Sequence, residues 1–318
     1  MGRQDQIQKV LETLLQPSQL CRLCVEYAEL PQNQLWIFLH YQLIRFDPQT
    51  SKMFTYDYQE PSSLASSWSY PGRPTFTALW NPTATTADFM FLKKNSLQFG
   101  TLSDSELKIT ENLEMEFSES VYFSFTFQNQ FYTIGETSFV WVNLDEKKEI
   151  PTLSSDDNWK STWIVHDEYL YQFLEGTTSR YSLGSFTKTN LPCSCSARLF
   201  GSATLHPQSN RIFISGGFRS GHPFYSNSHI AHIAYIDIFD IKTQQFVPKK
   251  FWMPHSLWNH YSFCLNNFYF LIGGEDWLDT KNRKIWKHAL TSEGTPIGEW
   301  ILVSSDSCEV FAYGCLFG

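Results

Sequence analysis

Three imidazoles fall within eleven residues of one another in the stretch FRSGHPFYSNSHIAH, at His222, His229 and His232. Neutral imidazole is a common ligand for zinc and copper, so one loop offers three corners of a metal site. No carboxylate lies within the stretch to orient the rings from behind, which favours a polar, aromatic-bearing surface loop. Cys21-x-x-Cys24 has half of a zinc spacing, but no second CxxC or HxxxH follows and both thiols fall on an apolar helical face. Cys193-x-Cys195 stands in a turn-rich junction with no histidine beside it. The sequence has no serine nucleophile elbow, no glycine loop for phosphates and no convincing carboxylate pair. No catalytic residue, metal or cofactor is therefore assigned, and a non-enzymatic role is expected.

The elements that must position these groups are dominated by aromatic residues. Of 318 residues, 17% are aromatic and 18% charged, which supplies a large core and leaves little for disordered tails. A net charge of -8 and a pI near 5.6 exclude a surface built for nucleic acid or anionic membrane, because both need clustered Lys and Arg. No apolar run approaches the ~18 residues of a membrane span, and the N-terminus lacks the basic-then-apolar order of a signal peptide. Seven cysteines, several within apolar strand patterns, suit a reducing compartment. A cytoplasmic location is expected.

Residues 1–30 are expected to form a short amphipathic helical segment. Ile7, Val10, Leu11, Leu14 and Leu15 share one face, Pro17-Ser18 interrupts, and Leu20, Leu23, Cys24 and Tyr27 resume it. The two short helices over 4–29 either pack on the side of the main domain or mediate self-association. From Pro31 onward the texture changes to short aromatic or alternating strands between polar turns, the mark of a sandwich, barrel or propeller. The clearest unit is LWNHYSFCLNNFYFLIGGEDWL, residues 257–278. Tyr261–Leu265 and Phe268–Ile272 flank the turn pair Asn266-Asn267, and Gly273-Gly274 ends the second strand.

A strand, a two-residue turn, a second strand and a double glycine resemble the first half of a kelch-repeat propeller blade. Arg211–Ser215 followed by Gly216-Gly217 repeats the ending. Phe46-Asp47-Pro48-Gln49-Thr50 with Met53, and Phe239-Asp240-Ile241-Lys242-Thr243 with Phe246, are similar to the family's junction between third and fourth strands. Six units fit residues 31–318, about 48 residues each. The first opens at Leu35–Leu39 without a preceding inner strand, while Glu309–Phe317 is a spare strand at the other end. The expected fold is all-β: a six-bladed kelch-like propeller of four-stranded antiparallel blades, its ring closed by the C-terminal strand, after the short N-terminal helical segment.

The resemblance implies a binding face, because in kelch proteins the loops after the double glycine and those entering each first strand gather around the channel. By position that face offers Arg219, His222 and Tyr225 after Gly217, and Asp276 and Trp277 after Gly274. The entering loops add Arg73, Trp159, Arg198, Trp258, Asn259 and His255. Trp, Tyr and Arg dominate interface hot spots, although tryptophans here also suit packing between blades. The expected function is a non-catalytic scaffold or adaptor that binds a protein partner, with a place in a larger assembly. The alternative is a propeller enzyme or sugar-like small-molecule binder with a metal at His222, His229 and His232; copper-dependent kelch oxidases resemble this architecture but draw ligands from separate blades.

Overall fold

Two residues separate the paired strands at 128–129, 167–168 and 266–267, and of these Gln128, Asp167 and Asn267 have left-handed φ of 49°, 52° and 60°. Asn and Asp tolerate that conformation better than other side-chain-bearing residues, and it matches the twist of a tight hairpin. The structure, a computed structural model, describes residues 35–149 chiefly as strand backbone, with side chains at 100–101, 123–128 and 131–135. It describes 161–303 in full apart from 175, 196–197, 199, 218–232, 259, 266 and 276–283, and the backbone of 304 and 315–317. The helical segment expected over 4–29 lies outside the described residues.

Among the described residues 25 strands form six antiparallel sheets. The first contains β1 (Leu35–Phe38), β2 (Gln42–Asp47) and β3 (Lys52–Asp57); the second β4 (Thr75–Asn81), β5 (Thr86–Lys93), β6 (Ser96–Leu102) and β7 (Leu107–Glu114). The third contains β8 (Val121–Phe127), β9 (Gln130–Gly135), β10 (Phe139–Val142) and β11 (Lys147–Glu149); the fourth β12 (Thr162–His166), β13 (Tyr169–Leu174), β14 (Thr177–Ser182) and β15 (Thr187–Leu191). The fifth runs β16 (Ser202–His206), β17 (Arg211–Ser215), β18 (Tyr235–Asp240), β19 (Gln245–Phe246) and β20 (Phe251–Trp252). The sixth is β21 (Tyr261–Leu265), β22 (Phe268–Ile272), β23 (Ile285–Leu290) and β24 (Pro296–Ser304). β25 (Cys315–Phe317) returns to the first sheet and pairs antiparallel with β1, Leu35 opposite Phe317. The first sheet thus gains its fourth strand from the opposite end of the sequence.

The third to sixth sheets pack face to face in succession, and strand alternation assigns side chains to the two faces. Leu170 on β13 joins Phe125, Tyr132 and Ile134 of the third sheet, while its neighbours Tyr171 and Phe173 join Ile212, Ile214 and Phe239 of the fifth. Phe213 points the other way, into Ile236, Phe251, Tyr269 and Leu271 between the fifth and sixth sheets. Covered on both sides, β13, β17 and β22 each have four consecutive buried residues. An outer strand such as β15 is exposed along most of its length. A buried Phe, Leu or Ile in these layers contributes about 1.5–3 kcal/mol. First strands also adjoin: β25 lies beside β4, β4 beside β8, and β16 between β12 and β21.

The Asp240 turn forms as its sequence suggests. Its carboxylate accepts the backbone N–H of Thr243 at 3.0 Å and Nε of Arg211 at 3.3 Å. Burial opposes ionisation, but these bonds and the Arg211 charge hold the carboxyl below its usual range. Phe239 and Phe246 face each other across the turn, edge to face at 5.4 Å. The outer edges are irregular. In the fifth sheet the outer strand is interrupted between β19 and β20, because Pro248 has no N–H for the ladder and Pro248–Lys250 arch away from it. In the sixth, β24 contains a bulge.

Pairing of β25 with β1 carries a direct consequence. Deletion of residues 310–318 exposes the backbone edge of β1, and the truncated chain is expected to be insoluble or rapidly cleaved by trypsin at a concentration that spares the full chain. A soluble truncation with one unchanged cooperative unfolding transition would show that the first sheet does not need this strand.

Candidate partner-binding face

Leu257–His260 is the segment through which the fifth and sixth sheets hold two loop stems together. Gly216 and Gly217 have φ of +56° and +83°, and Gly273 and Gly274 of +62° and +88°. A Cβ on Gly216 would stand 2.2 Å from the carbonyl oxygen of Leu257 and 2.5 Å from Cε1 of His260. One on Gly274 would stand 2.7 Å from Cβ of His260 and 2.8 Å from the Trp258 carbonyl oxygen. Only glycine satisfies both the backbone angle and the space at these positions. The double glycines are therefore the two walls between which one segment is threaded.

Backbone hydrogen bonds fasten the stems. Gly217 N–H donates to the Leu257 carbonyl at 2.7 Å, and Ile233 N–H to the Gly217 carbonyl at 2.9 Å, closing the base of the 218–232 loop. Trp258 and Glu275 exchange bonds of 3.0 and 2.9 Å, and Gly273 N–H donates to the Lys284 carbonyl at 3.3 Å, closing the base of the 276–283 loop. Both loops are rooted on the same segment. Their contact candidates, Arg219, His222 and Tyr225 in one and Asp276 and Trp277 in the other, lie outside the described residues, as do His229, His232, Arg73, Trp159 and Asn259.

Arg198 and Trp258, expected on the loop surface, are placed inside. Arg198 is 1% exposed; its Nη1 donates to the carbonyls of Gly216 and Tyr235 at 3.0 Å each, and its Nη2 to Asp237 Oδ2 at 2.6 Å. The guanidinium also lies over the Tyr235 ring, 4.9 Å from its centroid. By binding Gly216 on one side of the 218–232 loop and Tyr235 on the other, Arg198 clips both stems. Trp258 packs at 6.0 Å from Phe200 and is 9% exposed. His255 is exposed and meets Trp286 edge to face at 5.6 Å.

Beneath the stems, polar side chains join the sheets. Ser262 N–H and Oγ both bond Ser202 Oγ, at 3.0 and 2.9 Å, linking β21 to β16. Ser215 Oγ and His260 Nε2 share a bond of 2.7 Å. A serine against an imidazole has the composition of a nucleophile and its base. Ser215 is 0% and His260 4% exposed, however, so the pair works here as a strut. Burial pushes the Cys195 thiol up to about 12, and its Sγ–H donates to the Leu174 carbonyl at 3.1 Å; burial also raises Cys193. Burial thus disfavours the thiolate, the nucleophilic form, at both positions. Among the described residues no three His, Cys, Asp or Glu side chains gather as a metal site, and no helix is long and apolar enough to cross a membrane.

One exposed feature was missed from sequence. Trp252 is 66% exposed at the broken edge of the fifth sheet, and Ile297, Ile301 and Leu302 are exposed on β24. The available signal was Pro248-Lys249-Lys250 ahead of Phe251-Trp252, where proline interrupts an outer strand. No family model matches the chain, and none of the curated proteins compared with it is significantly similar.

Removal of the clip tests these roles. Arg198→Ala leaves Asp237 without its buried cation and is expected to destabilise the protein by about 3–5 kcal/mol in urea unfolding. Combining Arg198→Met with Asp237→Leu is expected to recover part of that loss. Gly216→Ala is expected to cost at least about 2–3 kcal/mol from the left-handed angle and the Leu257 contact. Near-wild-type stability in Arg198→Ala would exclude a structural role for the guanidinium.

Proposed function

We propose that the six sheets are the blades of a kelch-like propeller, closed by the β25 strand, and that the protein is a non-catalytic scaffold binding a protein partner through its loop face. The observation that carries the reading is the rooting of the 218–232 and 276–283 loops on one buried segment, Leu257–His260. Loops held by rigid stems present side chains at fixed separation, which lowers the ordering cost of binding. Arg219, Tyr225 and Trp277 have the side chains that carry interface energy, with His222 and Asp276 as polar neighbours. The nucleophilic and titratable groups described between the stems are consumed by internal hydrogen bonds, which supports recognition rather than catalysis.

Affinity purification from the native cell is expected to retain a protein partner, and Arg219→Ala combined with Trp277→Ala to reduce its retention at least about tenfold while melting behaviour is unchanged. Retention unaffected by the double variant would overturn the loop-face reading. Stoichiometric copper, iron or zinc in the purified protein, lost in His229→Ala/His232→Ala, would overturn the non-catalytic reading and assign the histidine loop to a metal.

A further inference from the structure

The fifth and sixth sheets meet at their outer edges through two irregularities that lie side by side. In the fifth, β18 pairs with β19 at Phe239 and Asp240 and with β20 at Tyr235 and Ile236, and Pro248–Lys250 arch out between these contacts. Val247 N–H still donates to the Ile238 carbonyl at 2.8 Å, so the arch leaves the ladder after it. In the sixth, the register of β24 on β23 jumps from Ile297 opposite Ala289 to Ile301 opposite Lys287. Gly298, with φ of +77°, admits that bulge. Between arch and bulge opens a cleft of about 180 Å³, lined by Arg211, Lys249, Lys250, Trp252 and His288 together with Pro296 and Gly298 at the start of β24.

Its floor is well fixed. Phe251 stacks on Trp300 with centroids 5.2 Å apart and planes 3° apart, and His288 meets both rings edge to face, at 4.5 and 5.1 Å. Trp300 Nε1 donates to the Trp252 carbonyl at 2.7 Å, tying one sheet to the other. Arg211 is held by Asp240 and by the Glu293 carbonyl. The rim is different. Lys250 Nζ lies 3.8 Å from the centroid of Tyr235, and among the described residues neither it nor the exposed Lys249 has an ionic partner. Glu293 and Glu299, the adjacent acids of the sixth sheet, do not line the cleft. In a chain of net charge -8, two uncompensated lysines beside an exposed tryptophan form a local site of opposite sign.

From this juxtaposition we infer a second docking site, separate from the loop face: the cleft binds an acidic, extended segment of a partner protein. Its carboxylates meet Lys249 and Lys250, and an apolar side chain covers Trp252. The exposed Ile297, Ile301 and Leu302 extend the apolar surface onto β24, which among the described residues pairs on one side only and so suits the addition of a strand. The cleft is set apart from the loop stems across the sheet rather than along it: Trp252 lies on the outer strand β20, opposite Tyr235 where the 218–232 loop returns, while the stems themselves leave from the inner strands β17 and β22.

The test is selection of phage-displayed random peptides of about twelve residues on the full chain, with counter-selection on Lys249→Glu/Lys250→Glu. Enriched peptides are expected to be rich in Asp and Glu with at least one large apolar residue. One enriched peptide, made with a fluorescein label, is then titrated by anisotropy. Lys249→Glu/Lys250→Glu and Trp252→Ala should each weaken it at least about tenfold, and high salt should weaken it in wild type. These side chains are exposed, so melting temperatures should match wild type; Arg219→Ala/Trp277→Ala should bind normally, which keeps failure of the loop face distinct from failure of the cleft. Three results would overturn the inference: no enrichment that the lysine variant abolishes, enrichment without acidic bias, or capture of phosphatidylserine vesicles through Lys249 and Lys250 in place of peptide.

Discussion

Close approach of the Leu257–His260 backbone to Gly216 and Gly274 is the constraint on which the described half of the molecule depends. With contacts that leave no room for a Cβ, the segment can be neither shifted nor replaced without moving both the fifth and sixth sheets. The same approach puts His260 within reach of Ser215 and Trp258 within reach of Glu275. A backbone contact between sheets thereby sets the polar contacts around it.

Buried polar groups are costly unless each is satisfied, and here they are placed where backbone must turn away from a strand. Arg198 collects two carbonyls and a carboxylate at the end of β17 and the start of β18, where a fifteen-residue excursion leaves and returns. Apolar packing between sheets is largely indifferent to the detailed path of a connecting loop. A guanidinium with fixed donor directions is not, and it specifies where the two stems stand.

Much of the architecture could be read from local chemistry. The hairpin turn at Asn267 and the Asp240 turn follow from residue types that favour tight turns, and the tail strand opposite Leu35 from a first unit that opens without an inner strand. The candidate site was less legible. Arg198 and Arg219 are both arginines beside a strand terminus, and nothing in the chain near Arg198 reveals that its cation is matched by Asp237, thirty-nine residues on. Pro248 signalled an interruption, but the cleft requires a second irregularity at Gly298 in the neighbouring sheet. Juxtaposition of two defects distant in sequence is a tertiary fact that strand patterns do not encode.

The pairing of β25 with β1 also bears on how the protein is made. During synthesis β1, β2 and β3 are made before the other five sheets, and the strand that completes their sheet is made after all of them. Until then the edge of β1 is an open template for any extended chain nearby. The nascent protein therefore has a vulnerable interval that lasts while five further sheets are synthesised, and a chaperone that shields β-edges would have the most to do at the first sheet.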